Sequence, residues 1–182
     1  MQALRSGIDI AWLVFWTGWL ASALSAKRSL RGTGRRRLRL AGVSAVCVIV
    51  IVRLANGHSG VVHSPVLGVI GAALLLSGLM LAVWARVHLA ANWGMPMTQR
   101  AEPELITSGP YRLVRHPIYA GLLIGVLGTA LATDLIGLAI ALVAAVYFRY
   151  AASVEERNLI ATFPEQYPRY RGHTKMLVPF VY

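Results

Sequence analysis

The sequence predicts an all-α membrane protein, a polytopic helical bundle with about five transmembrane helices. Composition, apolar segments and loop charges carry this prediction. Of the 182 residues, 57% are apolar and 14% are charged, whereas soluble domains carry about 25% charged residues. Because a bilayer core about 30 Å thick takes about 20 helical residues to cross, this length allows five crossings. We expect one integral membrane domain over residues 1–182, divided into an N-terminal part (1–64) and a core (65–182).

Five apolar segments are predicted to be helices, since an open sheet would leave backbone groups without hydrogen bonds in lipid. They run from about Ile8 to Ala26, Leu38 to Ala55, Pro65 to Ala91, Pro117 to Thr133 and Leu135 to Ala152. The last two segments are separated only around Asp134. We therefore expect segments four and five to form a tight helical hairpin whose turn lies at the outer surface.

The charges between the segments predict the orientation. Seven basic residues lie in the loop from Lys27 to Arg39, whereas the loop from Asn56 to Ser64 has neither Lys nor Arg. Basic loops mark the cytoplasmic side, so the N-terminus is expected outside and the C-terminal tail, with four Lys and Arg residues, inside. This placement also accounts for the net charge of +11 without a nucleic-acid partner.

Several common sites are not expected. A single cysteine, Cys47, excludes an internal disulfide and a cysteine-rich metal site. His58 and His63 have no Cys, Asp or Glu nearby, so no metal is expected. The sequence also has no complete glycine motif of dinucleotide folds, no phosphate-binding P-loop and no nucleophile elbow of serine hydrolases.

The predicted hairpin gathers polar chemistry on the cytoplasmic side. One polar block runs from Glu102 to Gly121 and the other from Glu155 to Phe163, followed by Tyr167 and Tyr170. The start of segment four and the end of segment five should be neighbours. We therefore expect Arg115, His116 and Tyr119 to face Glu155, Glu156 and Asn158. Taken as charges alone, these residues are equally consistent with a salt-bridge cluster that fixes the hairpin in the headgroup region.

Two motifs carry a family resemblance. They are Ser108-Gly-Pro-Tyr-Arg-Leu-Val-Arg-His-Pro-Ile-Tyr-Ala-Gly121, and Glu155-Glu156-x-x-Leu159-x-x-x-Phe163 with Tyr167, Tyr170 and Pro179. Together they resemble the isoprenylcysteine carboxyl methyltransferase family and its phospholipid N-methyltransferase relatives, over about Arg86 to Tyr182. The resemblance implies an S-adenosylmethionine-dependent methyltransferase in a helical membrane bundle, with residues 65–182 as its core and an active site open to the cytoplasm.

The resemblance also implies the site residues. Those matching the family's cofactor contacts are Pro103, Glu104, Leu105, Ile106, Tyr111, His116, Pro117, Ile118, Tyr119 and Glu155. Two positions depart from the family pattern: Pro103 stands where many members have His, and Ala151 stands where prenylcysteine enzymes have a substrate-contacting Arg. Arg149, two residues before Ala151, is the substitute candidate.

The chemistry of the cofactor suits these residues. Glu155 can bind its ammonium or ribose, and Arg115 or Arg112 its carboxylate. Tyr111 and Tyr119 can contact the sulfonium by cation–π interaction. The catalytic candidates are Arg115, Glu156 and Arg149. Only an amine acceptor needs a general base, for which Glu156 or His116 are candidates.

Methylation of a lipophilic substrate that enters from the bilayer is the expected function. Phospholipid or other small-molecule N- or S-methylation is the alternative within the same class. A non-catalytic membrane scaffold or a transporter-like protein is the alternative outside that class.

Overall fold

The computed structural model describes residues 2–25, 64–89, 104–134 and 137–179. These residues form five α-helices: α1 (Gln2–Ser25), α2 (Pro65–Leu89), α3 (Pro117–Thr133), α4 (Gly137–Thr162) and α5 (Gln166–His173). A short 3₁₀ helix, Gly109–Arg112, precedes α3. A parallel bridge pairs Val114 with Lys175. The predicted all-α class is confirmed for this part of the chain.

Local sequence explains where α2 and α3 begin. Each has proline as its first residue, a position where the missing N–H costs nothing and the fixed φ suits a helix. Ser64 precedes α2, and its hydroxyl accepts a hydrogen bond from the Leu67 amide at 3.4 Å. His116 precedes α3, and its carbonyl accepts from the Ala120 amide at 3.0 Å.

The helix bounds differ from the apolar segments mainly in α4. Segment five was predicted to end near Ala152, but α4 continues to Thr162. The added residues include Glu, Arg, Leu and Ala, which are good helix formers. The apolar pattern therefore marked only the hydrophobic part of a longer helix. Segment two, Leu38 to Ala55, and the basic loop from Lys27 to Arg39 lie outside the described residues.

Among the described helices, α2 and α4 are long and apolar enough to cross a membrane. Helix α3 is apolar but shorter, with 17 residues. Five membrane crossings, the outer turn of the hairpin and the single-domain assignment stay predictions.

The chain divides into two compact units. In the first, Met1–Leu76 with Val126–Ala141, the Trp12 indole donates to the Thr129 hydroxyl at 3.0 Å. Aromatic rings follow one another along α1, with Trp12 stacked on Trp16 at 6.5 Å between ring centroids. A Cβ on Gly71 would collide with the Gly128 carbonyl oxygen, so α2 and α3 approach closely in this unit.

The second unit comprises Ser77–Gly125 with Leu142–Tyr182. Here too α2 and α3 meet at glycines, because a Cβ on Gly78 would collide with the Gly121 carbonyl oxygen. Its buried core includes Tyr111, Ala152, Tyr167, Met176 and Leu177. All the described candidate site residues belong to this unit.

Candidate functional site

The C-terminal tail, meaning here the residues that follow α4, holds the backbone of the Arg115-His116 segment. The Arg115 amide donates to the Lys175 carbonyl at 2.8 Å, and the His116 amide donates to the Met176 carbonyl at 3.1 Å. The Tyr170 hydroxyl donates to the Tyr111 carbonyl at 2.6 Å. Burial raises the pKa of Tyr170 to about 12, so the hydroxyl keeps its proton and remains a donor at neutral pH.

The turn before this segment depends on a glycine. Gly109 has a φ of +59°, a left-handed conformation that side chains other than glycine rarely adopt. The His88 ring occupies the space where a Cβ of Gly109 would lie. Gly109 therefore serves both the backbone turn and the close approach of α2.

Arg115 and Glu156 form a buried ion pair. Arg115 Nε lies 2.6 Å from Glu156 Oε1, and the two side chains are only 8% and 5% exposed. Arg115 Nη1 donates to the carbonyl of Arg171 at 3.3 Å and also to the carbonyl of Thr174. Arg115 thus joins α4 to the tail, and these two nitrogens are engaged within the protein.

His116 lies between the two adjacent carboxylates of α4. Its Nδ1 is 3.6 Å from Glu155 Oε2, and its Nε2 is 3.4 Å from Glu156 Oε1. Burial lowers the pKa of His116, but the two carboxylates outweigh burial and leave it above the ordinary value. The site therefore favours the positively charged imidazolium.

Tyr119 connects this acidic pair to an aromatic stack. Its hydroxyl donates to Glu155 Oε2 at 3.2 Å. Its ring stacks on His116 on one side, at 5.5 Å between centroids, and on Phe148 at 5.0 Å. The Glu155 side chain is 36% exposed, so its carboxylate is both positioned by protein contacts and accessible to a ligand.

The structure thus brings together five predicted residues: Arg115, His116, Tyr119, Glu155 and Glu156. Asn158 is exposed, and no described contact joins its side chain to them. Their roles toward a cofactor or substrate stay predictions.

The other predicted site residues have different surroundings. Pro103 lies outside the described residues. Glu104 is exposed, Leu105, Ile106 and Ile118 are half-buried, and Tyr111 and Pro117 are buried. Arg149 is exposed and donates to the Ser153 hydroxyl one turn along α4. Among the described contacts, none joins Glu104, Leu105 or Ile106 to the acidic pair.

Two residues of this region were not predicted as site residues from the sequence. Phe148 lies seven residues before Glu155, a spacing that places both on one face of a helix, so periodicity could have found it. Arg171 Nε lies 3.6 Å from Glu156 Oε2. Its approach depends on how the tail folds back after Thr162, and no local pattern in the sequence marks it.

Comparison with known proteins identifies the family to which the chain belongs. A family model described as phospholipid methyltransferase matches residues 66–166, which is more than half of the chain and includes the first motif and the Glu155–Phe163 part of the second. The chain belongs to this family of membrane-associated methyltransferases, and the resemblance inferred from the motifs is confirmed.

Three relatives illustrate the range of the similarity. A cobalt-zinc-cadmium resistance protein of Cupriavidus metallidurans is 31% identical over 79% of this chain. The matched region covers 64% of that relative's own length. A methanethiol S-methyltransferase of Crocosphaera subtropica is 37% identical over 39% of this chain and 28% of its own length. A protein-S-isoprenylcysteine O-methyltransferase of Arabidopsis thaliana is 36% identical over 43% of this chain and 41% of its own.

Proposed function

We propose that the protein is an S-adenosylmethionine-dependent methyltransferase that acts on a lipophilic acceptor at the membrane, in the manner of isoprenylcysteine carboxyl methyltransferases. The observation that carries this proposal is the Glu155 carboxylate, which is held by Tyr119 at 3.2 Å and remains 36% exposed beside aromatic rings. An accessible carboxylate next to aromatic faces suits a cationic ligand.

The donor set fits the cofactor. Glu155 would accept hydrogen bonds from its ammonium or ribose hydroxyls, and the rings of Tyr111 and Tyr119 would lie near its sulfonium and adenine. The cofactor supplies a methyl group on a sulfonium, and transfer of that methyl to an acceptor leaves a neutral thioether. Alignment and exclusion of water are then the protein's main contributions.

The surroundings of the candidate bases favour an acceptor that arrives as an anion. Glu156 and His116 are 4% and 6% exposed and face each other, so neither is free to take a proton from an amine. A thiolate or a carboxylate needs no general base. The named activities of two relatives, on methanethiol and on isoprenylcysteine, are of these two kinds.

The acceptor's apolar part would lie along α4. Leu142, Val143 and Val146 are 65% to 70% exposed in the same unit as Glu155. Apolar chains lose nothing against such a surface, whereas polar substrates find no hydrogen-bond partners. We propose that the acceptor enters laterally from the bilayer and that the cofactor enters from the cytoplasm. We further propose that the chain crosses the membrane five times.

Cofactor binding and methyl transfer test this function directly. Purified protein in detergent is incubated with cofactor carrying a labelled methyl group and a lipid extract of the host. Extractable labelled product is expected, together with calorimetric binding of the cofactor. Glu155→Gln should weaken binding about 10- to 150-fold, as for loss of a hydrogen bond to a charged group.

Glu165→Gln is the matched control, because Glu165 is exposed and makes no capping hydrogen bond to α5. Absence of cofactor binding by the wild-type protein would favour the scaffold alternative. Labelling of phospholipid amines rather than thiols or acids would favour the phospholipid alternative. The family's description as phospholipid methyltransferase agrees with that alternative.

A further inference from the structure

We propose that Arg171 binds the carboxylate of the cofactor's amino-acid group, opposite Glu155, which binds the ammonium. This inference rests on the proposed function and assigns a new role within the same site. The sequence favours Arg115 or Arg112 for this carboxylate, and the proposal assigns it instead to a residue of the tail helix α5.

Arg115 is already engaged by groups of the protein. Its side chain is 8% exposed, and its Nε lies 2.6 Å from Glu156 Oε1. Its Nη1 donates to two tail carbonyls, those of Arg171 and Thr174. Binding a ligand carboxylate through these nitrogens would break contacts that hold the tail against the Arg115-His116 backbone.

Arg171, in contrast, is accessible and incompletely paired. Its side chain is 54% exposed, and its described ion pair joins Nε to Glu156 Oε2 at 3.6 Å. That distance is longer than an N–H···O hydrogen bond. The terminal nitrogens of the guanidinium thus remain available for the bidentate geometry that carboxylates prefer.

Four charged side chains of the site form a row of alternating sign. Glu155 contacts His116 at 3.6 Å, His116 contacts Glu156 at 3.4 Å, and Glu156 contacts Arg171 at 3.6 Å. The two accessible members of this row are its ends, one acidic and one basic. An α-amino acid carries both an ammonium and a carboxylate, so one accessible acidic group and one accessible basic group suit it.

The buried middle of the row supports the same assignment. Glu156 would repel a ligand carboxylate if its charge were uncompensated, but Arg115 pairs with it at 2.6 Å. Arg171 therefore need not be the main partner of Glu156. Its side chain is 54% exposed, so a ligand can reach its positive charge.

The test compares S-adenosylmethionine with its decarboxylated analogue by calorimetry in detergent. Wild-type protein should bind the complete cofactor about 10- to 150-fold more tightly than the analogue, as expected for a charged hydrogen-bonding partner. Arg171→Gln should lose that preference by weakening only the binding of the complete cofactor. Its unchanged affinity for the analogue would show that the site is still folded.

Arg169→Gln is the matched control, because Arg169 is exposed on the same helix and should keep the wild-type preference. The assignment is overturned if Arg171→Gln retains the preference for the complete cofactor. It is overturned equally if the substitution weakens the binding of both ligands to the same extent, which indicates a purely structural role for Arg171. It is also overturned if the wild-type protein binds both ligands equally well. If the wild-type protein binds neither ligand, the proposed function itself fails.

Discussion

At the scale of single residues, Tyr119 has two separable contacts. Its hydroxyl donates to Glu155 Oε2 at 3.2 Å, and its ring stacks between His116 and Phe148. Tyr119→Phe removes the first contact and keeps the second. We expect cofactor binding to weaken about 10-fold, the lower range for a hydrogen bond to a charged group, with little change in thermal stability.

Calorimetry and a thermal melt in the same detergent measure the two effects. Tyr147→Phe is the control, since Tyr147 is 63% exposed and contacts Phe148 through its ring. Equal affinity in Tyr119→Phe and wild-type protein would mean that the hydroxyl does not position Glu155 for a ligand.

His116 gives a prediction about pH. Its pKa in the folded protein is raised, because Glu155 and Glu156 outweigh the effect of burial. A group with a raised folded pKa contributes its full stability below its unfolded pKa, about 6.5 for histidine, and loses it as the pH rises through the folded pKa. The stability difference between wild-type protein and His116→Gln should therefore shrink as the pH increases above about 6.5.

Melting temperatures of the two proteins, measured in parallel from pH 5.5 to 9, test this expectation. Arg115 and Tyr119 also contact this group of residues and remain unchanged in both proteins. A difference that stays constant over the series, or that grows with pH, would contradict the charged state assigned to His116.

Arg115 shows which contacts of the site the sequence can predict and which it cannot. Its proximity to Glu156 followed from the expected hairpin, because the start of one segment and the end of the next should be neighbours. Its bonds to the carbonyls of Arg171 and Thr174 were not predictable. Any residue supplies a carbonyl, so such acceptors leave no signature in a sequence.

At the scale of helices, hydropathy predicted where helices lie better than where they end. Segment four coincides with α3, because Pro117 begins both the apolar run and the helix. Segment five ended ten residues before α4 does, because helix formation continues through polar residues once the apolar run stops. The acidic pair consequently lies within α4 rather than in a loop after it.

The crossing of α2 and α3 gives a prediction about packing. A Cβ on Gly121 would lie too close to the Gly78 carbonyl oxygen and to the Ala82 amide nitrogen, at 2.8 Å. Backbone atoms cannot yield as a flexible side chain can. Gly121→Ala should therefore destabilise the protein by about 1 to 3 kcal/mol, as overpacking does.

Gly18→Ala is the matched control, because a Cβ on Gly18 has no neighbour within 4 Å. This change should leave stability unchanged or raise it by up to about 1 kcal/mol, through alanine's higher helix propensity. Chemical denaturation in detergent measures both variants. Equal stability of the two would mean that α2 and α3 do not approach as closely at Gly121 as the structure indicates.

At the scale of the whole molecule, charge and hydropathy together predict an orientation. Basic residues are concentrated in alternate loops and in the tail, and such loops stay cytoplasmic. Two described helices are long and apolar enough to span a bilayer, while the number of crossings depends on segments outside the described residues. Orientation therefore has to be tested at positions whose substitution leaves the fold intact.

Gly7, Gly18 and Gly172 provide such positions, since an added Cβ has no neighbour within 4 Å at any of them. With Cys47, the only cysteine, replaced by serine, each glycine is changed to cysteine and probed with a membrane-impermeant maleimide. Position 7 should react in intact cells, because it precedes the first apolar segment and is predicted to lie on the outer side. Position 172 should react only after the membrane is opened, because the basic tail is predicted to be cytoplasmic. Position 18 should stay unreactive in both conditions, because the middle of the first segment is predicted to lie within the bilayer. Labelling of positions 7 and 172 from the same side would require an even number of crossings and would exclude the five-helix topology.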